Sequence, residues 1–410
     1  MRLDRLDAYL TRFEATVAEV ETDARGTWLR LDRSAFYPTA GGQPNDEGEL
    51  AGARVRAVES RGSEVWHMLG EGPVPAVGDT VIGLIDWERR HTHMQRHSAE
   101  HLLAQAFVRV GAARGVTDGG IPGFHTRSVS MRSADCTIDL TGSPDDEALA
   151  EAELEVNRAA RRSMPVLTFE VDDARLGDYR LRRPAQVSGL VRLVAMGDYD
   201  IVACGGTHVS NTAEVLPVKV LGAESVRGGL TRVTFRAGNE ALHDYAAKHA
   251  VLREVSPLLS APIVEVPARV RALMDRVSEV ESTLIAAFKH DAERLAERLL
   301  DEAGTSPQGR PRLVVSALAE EQAELFEPLL ERLQREPGCV ALLGVRAGTG
   351  ARLAFLAGPD TEVDVRPALQ TALTHSGGRG GGRPDRAQGA LSDGMALEAA
   401  LAAAAEALKP

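Results

Sequence analysis

Two short runs hold residues whose types and spacing could grip a metal ion. In HSAEH, His97 and His101 stand four apart, and on a helix that spacing projects both side chains from one face. His93 stands one further turn back. In CGGTH, Cys204 and His208 flank two glycines, which permit a turn tight enough to bring a thiolate and an imidazole round one point. One cysteine and three histidines form a borderline-soft donor set that suits Zn2+. A closed site that staples the fold and a site that takes part in chemistry use the same residue types, and spacing does not separate them.

Two further stretches place polar groups on glycine-containing backbone. In FYPTAGGQPNDEGEL (Phe36 to Leu50), Gly41, Gly42 and Pro44 force a tight loop. A hairpin connection explains the glycines but not Thr39 and Gln43, two uncharged hydrogen-bonding side chains on that loop. In GGRGGGRPDRAQGAL (Gly377 to Leu391), Arg379, Arg383 and Arg386 are interleaved with glycine. No Gly-Lys-Ser/Thr follows, so the run is not a P-loop. It reads either as a flexible linker or as a phosphate seat, with exposed N–H groups beside guanidiniums.

The elements that must carry these residues follow from patterning. Residues 1–88 alternate apolar and polar in short runs (ATVAEVE, TWLRLDR, ARVRAVESR, SEVWHML, TVIGLIDW) broken by turn residues, which predicts a small β-barrel or sandwich. Residues 89–237 read as α+β, with a helix over Arg89 to Val110 and another over Asp145 to Arg161. On the first helix, His97 and His101 point away from the Ala99–Leu103–Phe107 stripe, so the spacing predicts a histidine face distinct from the buried one. Ala104 and Val108 would extend that face as a pocket wall. Residues 238–304 are mostly helix. Leu273, Val277, Val280, Leu284, Phe288, Leu295 and Leu299 follow coiled-coil-like spacing with one stutter. That stripe either packs on its own domain or forms a strut that pairs with a second chain. PQGRP (Pro307 to Pro311) reads as a linker, and residues 305–410 have the cadence of a small α/β domain.

Composition narrows the class. At 44% hydrophobic and 26% charged residues the chain is ordinary for a globular protein. No run approaches the ~20 apolar residues of a membrane helix, and the charged N-terminus lacks the apolar core of a secretory signal. Cys136, Cys204 and Cys339 are too few and scattered for a disulfide framework, which points to a cytoplasmic setting. The net charge of −12 argues against a surface that coats DNA. It leaves room for a local basic cluster on a nucleic-acid partner.

Taken in order, FYPTAGGQPNDEGEL, DWERRHTHMQRHSAEHLL, VRLVAMGDYDIVACGGTHVSNTAEV, GGLTRVTFRAG and GGRGGGRPDRAQGA resemble the AlaX family of alanyl-tRNA editing proteins. They equally resemble the C-terminal half of alanyl-tRNA synthetase. The resemblance implies that His97, His101, Cys204 and His208 fall on zinc ligands. It puts Gln43 on the loop glutamine of the editing site and Thr39 on the threonine that faces the substrate's side chain. It puts Arg379, Arg383 and Arg386 in a C-Ala-like domain associated with tRNA binding and dimerisation. His93 has no place in the motif, and the loop holding His125 is a looser match that assigns it no role. Met1 stands directly before the β-domain, which leaves no room for an aminoacylation domain.

The implied activity is hydrolysis of mischarged Ser-tRNA(Ala), and of Gly-tRNA(Ala), in trans. Binding alone discriminates a hydroxyl or a methyl by only ~10–200-fold, so a second, hydrolytic site makes chemical sense. Zinc would either activate water or position the substrate while Gln43, Thr39 and backbone amides arrange the water. The alternative is a non-catalytic tRNA-binding or dimerisation module with a structural zinc. A phosphoesterase with a related C-terminal domain would need an Asp-His-His run, which this chain lacks.

Overall fold

Why the first segment closes into a barrel is visible in its strands. These are β1 (Arg12–Asp23), β2 (Gly26–Leu31), β3 (Gly48–Leu50), β4 (Ala53–Arg61), β5 (Glu64–Leu69) and β6 (Thr80–Ile85). They close in the order β1-β2-β5-β4-β3-β6. Phe13, Ala15 and Val17 alternate inward along β1, and Val81 and Ile85 along β6, the period that puts one face of each strand in a core. Each such valine or isoleucine contributes about 1.5–3 kcal/mol relative to exposure. Gly83 pairs with Phe13 across β1 and β6. A Cβ there would sit 2.4 Å from the Phe13 ring, so glycine lets the ring lie flat against the strand.

The structure is a computed structural model and describes residues 1–185, 188–304 and 310–409. Part of the PQGRP stretch therefore lies outside the described residues. The architecture is mixed α+β with a closed six-stranded barrel and several further sheets, as the patterning predicts. The chain divides into two units, Met1–Glu254 and Val255–Pro410. No helix among the described residues is long and apolar enough to cross a membrane.

In the first unit the barrel leads into α1 (Trp87–Ala113), which Asp86 caps by accepting from the Arg89 N–H. Behind it come α2 (Asp146–Arg161) and an antiparallel sheet. Its strands are β7 (Thr126–Ser130), β8 (Cys136–Thr141), β12 (Val218–Val226) and β13 (Leu230–Ala237), in the order β12-β13-β8-β7. A second sheet is formed by β9 (Val166–Asp172), β10 (Leu190–Met196) and β11 (Asp200–Ala203). Leu102, Leu103, Phe107, Ala152, Val156, Val233 and Phe235 join in one core.

α1 departs from the sequence-based picture. Seventeen of its 27 residues are buried, so the histidine face is as enclosed as the apolar stripe. Periodicity detects one apolar face, whereas here polar side chains bury the others by pairing. The clearest case is Arg90. Its guanidinium and the Asp46 carboxylate are both fully buried with a closest contact of 2.5 Å. Arg90 also donates to the carbonyls of Ala8 and Ala35, and Asp46 accepts the Tyr37 N–H at 2.6 Å. This pair clamps the loop holding Thr39 and Gln43 onto the first turn of α1.

α3 (Gly238–Leu258) runs out of the first unit. In the second, α4 (Val266–Glu302) behaves as two halves. Ala292, Leu295, Ala296, Leu299 and Leu300 bury in their own unit, while Leu273, Val277, Val280 and Leu284 stay exposed. Strands β14 (Arg312–Leu318), β15 (Cys339–Ala347), β16 (Gly350–Ala357), β17 (Gly378–Arg383) and β18 (Arg386–Leu391) form one sheet in the order β14-β15-β16-β18-β17. Helix α5 (Phe326–Gln334) shares a core with α4 on one side. Helices α6 (Arg366–Ser376) and α7 (Leu397–Glu406) share a core on the other. The glycine-rich run is thus a β-hairpin rather than a flexible linker. A Cβ at Gly378, Gly380 or Gly382 would meet a carbonyl of β18 within 2.5 Å, so these glycines answer to close strand packing.

Candidate metal centre

α1 presents His97 and His101, and the turn after β11 presents Cys204 and His208. One ligand atom from each of the four lies within 4.8 Å of the others. Cys204 Sγ is 3.3 Å from His97 Nε2 and 3.4 Å from His208 Nε2. The glycines permit this convergence directly: a Cβ at Gly206 would fall 2.1 Å from His97 Cε1.

The rings are held from behind. Gln43, fully buried, lies with Oε1 2.8 Å from His97 Nδ1. The same oxygen accepts the Thr207 N–H at 3.3 Å, while Gln43 Nε2 donates to Thr207 Oγ1 at 2.8 Å. The backbone N–H fixes which way the amide faces. An amide oxygen only accepts, so His97 carries its proton on Nδ1 and presents the Nε2 lone pair. Ser98 Oγ stands 3.0 Å from His208 Nδ1 and accepts the Val209 N–H. Partners such as Gln43 and Ser98 orient metal-binding histidines. Asp200 Oδ2, 3.8 Å from His101 Nδ1, is beyond hydrogen-bond reach, and neither atom has a hydrogen-bond partner among the described residues.

The electrostatics suit ligation. Burial lowers the His97 pKa to about 4 and holds His101 and His208 well below the ordinary imidazole range, so all three are neutral donors at neutral pH. Burial pushes the Cys204 thiol up to about 11. A divalent cation beside it would displace that proton. These four side chains could hold a metal ion.

Of the other residues singled out in the sequence, Gln43 joins this constellation through His97. Thr39 is exposed. Its hydroxyl accepts the Asn45 N–H and donates to Asn45 Oδ1, both at 3.1 Å. Arg379 and Arg383 lie on the exposed strand β17. Arg386 donates to Gln334 Oε1 at 3.1 Å and lies 3.8 Å from Glu327. His93 is buried outside the ligand set, its pKa lowered to about 3 by burial and the neighbouring arginines.

Sequence reasoning missed what adjoins the centre. Cys204 lines a cavity of about 940 Å³ that is also lined by Arg5, His125, Arg182, Arg183 and Arg192. Arg192 donates to the carbonyls of Cys204 and Gly206 at 2.8 and 3.0 Å, bracing the ligand turn. No local motif marks these residues, which come from four separate stretches of chain.

Residues 191–234 match the family model described as the Threonyl and Alanyl tRNA synthetase second additional domain. That span includes Cys204 and His208. The alanine–tRNA ligase of Pyrococcus abyssi is 29% identical over 397 residues, covering 94% of this chain and 41% of that protein. Those of Methanoculleus marisnigri and Pyrobaculum calidifontis are each 31% identical, covering 90% and 93% of this chain and 40% and 41% of theirs. The chain spans about two fifths of the length of these relatives. A solved structure, the C-Ala domain from Aquifex aeolicus alanyl-tRNA synthetase, aligns at 21% identity with a TM-score of 0.23, covering 26% of this chain and 97% of that one.

Proposed function

We propose, from a chain related over most of its length to the alanine–tRNA ligases, that it hydrolyses the ester of mischarged Ser-tRNA(Ala), and of Gly-tRNA(Ala), in the cytoplasm. The observation that carries this reading is the convergence of His97, His101, Cys204 and His208 beside an arginine-lined cavity. The donor set fits zinc: one thiolate and three neutral imidazoles, with Nδ1 of His97 and His208 held so that Nε2 is free to ligate. Bound there, Zn2+ would supply a fixed positive charge beside the ester, and Lewis acidity once its coordination opens to a further ligand.

The protein's own groups do the rest. Gln43 fixes the orientation and proton position of His97. Thr39 offers a hydroxyl that favours a serine side chain over a methyl. Arg379, Arg383 and Arg386 form a tRNA-contacting hairpin, and the exposed stripe of α4 supports pairing with a second copy. On this reading residues 1–88 form the barrel, 89–237 the deacylase region, 238–304 the helical connection and 305–410 the tRNA-binding region.

A second reading is favoured by one observation: four protein donors fill a tetrahedral set, the arrangement of structural zinc sites. The chain would then be a tRNA-binding module without catalysis. Incubation with Ser-, Gly- and Ala-charged tRNA(Ala), with and without chelator, separates the two. The deacylase reading expects Ser and Gly esters cleaved, Ala spared and chelator inhibitory. Stable esters with metal-loaded protein at high concentration would leave the binding module.

A further inference from the structure

The cavity beside Cys204 has a composition at odds with the rest of the protein. Five arginines line it, Arg5, Arg127, Arg182, Arg183 and Arg192, against two acids, Asp118 and Glu170. That is a surplus of three positive charges in a chain whose net charge is −12. Asp118 is taken by Arg127 at 2.7 Å, and Arg182 is drawn back onto Asp200 at 3.0 Å. Arg192 donates to the main-chain carbonyls of Cys204 and Gly206. Arg5 and Arg183 have no carboxylate partner among the described residues, and Arg5 reaches across Gly205, one residue from Cys204.

The size of the space points to a ligand. At about 940 Å³ the space sits at the top of the ~300–1,000 Å³ range of ligand pockets, far more than a seryl or glycyl group needs. Unpaired guanidiniums in a cleft select phosphate oxygens.

We propose that this cavity seats the phosphodiesters of the single-stranded RNA end that delivers the ester, with Arg5 and Arg183 as the phosphate-contacting side chains. It rests on the deacylase reading for its orientation: the strand runs past Arg183 and Arg5 and ends at Cys204. The acceptor end is then held by the first unit itself, independently of Arg379, Arg383 and Arg386.

The test uses the full chain and an uncharged acceptor minihelix, with dissociation constants measured across a salt series. Arg5→Gln and Arg183→Gln should each weaken binding about tenfold at low salt and lower the log–log salt slope by about one. Arg158→Gln, an exposed α2 arginine outside the cavity, is the charge-matched control and should bind as the parent. Wild-type affinity and slope in both cavity variants would overturn the proposal, and so would equal losses in the control. A second arm compares Ser-charged minihelix with 3′-O-seryl-adenosine, which lacks the phosphates. The ratio of the two kcat/KM values should fall about tenfold in each cavity variant, and an unaltered ratio contradicts phosphate contact. If the parent cleaves neither ester yet the variants lose minihelix affinity and slope, the deacylase reading fails while the phosphate seat stands.

Discussion

Gln43 Oε1 lies 2.8 Å from His97 Nδ1, and through this contact a loop of the barrel sets the tautomer of a ring on α1. The two residues are 54 positions apart. Gln43→Ala should therefore weaken the metal centre without touching a ligand, by about 10–100-fold in affinity. Competition against a chromophoric chelator measures this, and parental affinity would show that the amide does not hold His97 for binding.

Thr39 stands on the same loop with its hydroxyl engaged by Asn45. Thr39→Val keeps the volume and removes the hydroxyl, so it should relax the preference for serine over alanine esters. A competition assay with both charged tRNAs gives the ratio directly. An unaltered ratio would remove Thr39 from substrate selection.

The loop's anchor gives a stability prediction. Arg90→Met leaves the Asp46 carboxylate buried and unpaired, and breaking such a pair costs about 3–5 kcal/mol. Urea denaturation of the first unit should show a loss of that size. A loss under 1 kcal/mol would mean that Asp46 finds water or another partner.

The sequence revealed the parts of this site that sit on local periodicity and concealed those that depend on long-range closure. His97 and His101 are legible because helical spacing alone puts them on one face, and Cys204 and His208 because two glycines announce a turn. Arg90 and Asp46 are 44 positions apart, and nothing local says that an arginine in the first turn of α1 is destined for burial. The cavity arginines come from the N-terminus, β7, the segment before β10 and β10 itself, so only the folded chain assembles them. In the second unit, Gly378, Gly380 and Gly382 suggest flexibility but stand where β17 approaches the β18 carbonyls too closely for a Cβ.

Two buried histidines outside the ligand set make the first unit acid-sensitive. Burial depresses His67 to about 4 and His93 to about 3, while an unfolded histidine titrates near ~6.5. Below that value the unfolded chain takes up protons that the folded chain refuses. Stability is therefore full above pH ~6.5 and declines towards pH ~4, by up to about 1.4 kcal/mol per pH unit for each histidine. His93→Gln should flatten this decline in denaturation series at pH 7, 6 and 5. A slope equal to the parent's would show that His93 is protonated in the folded state.

The most direct measurement is metal content read alongside deacylation, on the same preparations of the parent and of Cys204→Ala. The account predicts one zinc ion per parent chain with cleavage of Ser-tRNA(Ala), and loss of both in the variant, which lacks the site's sole thiolate. A variant that retains zinc stoichiometrically, or that cleaves Ser-tRNA(Ala) at the parental rate without it, would contradict a four-residue metal centre as the seat of the chemistry.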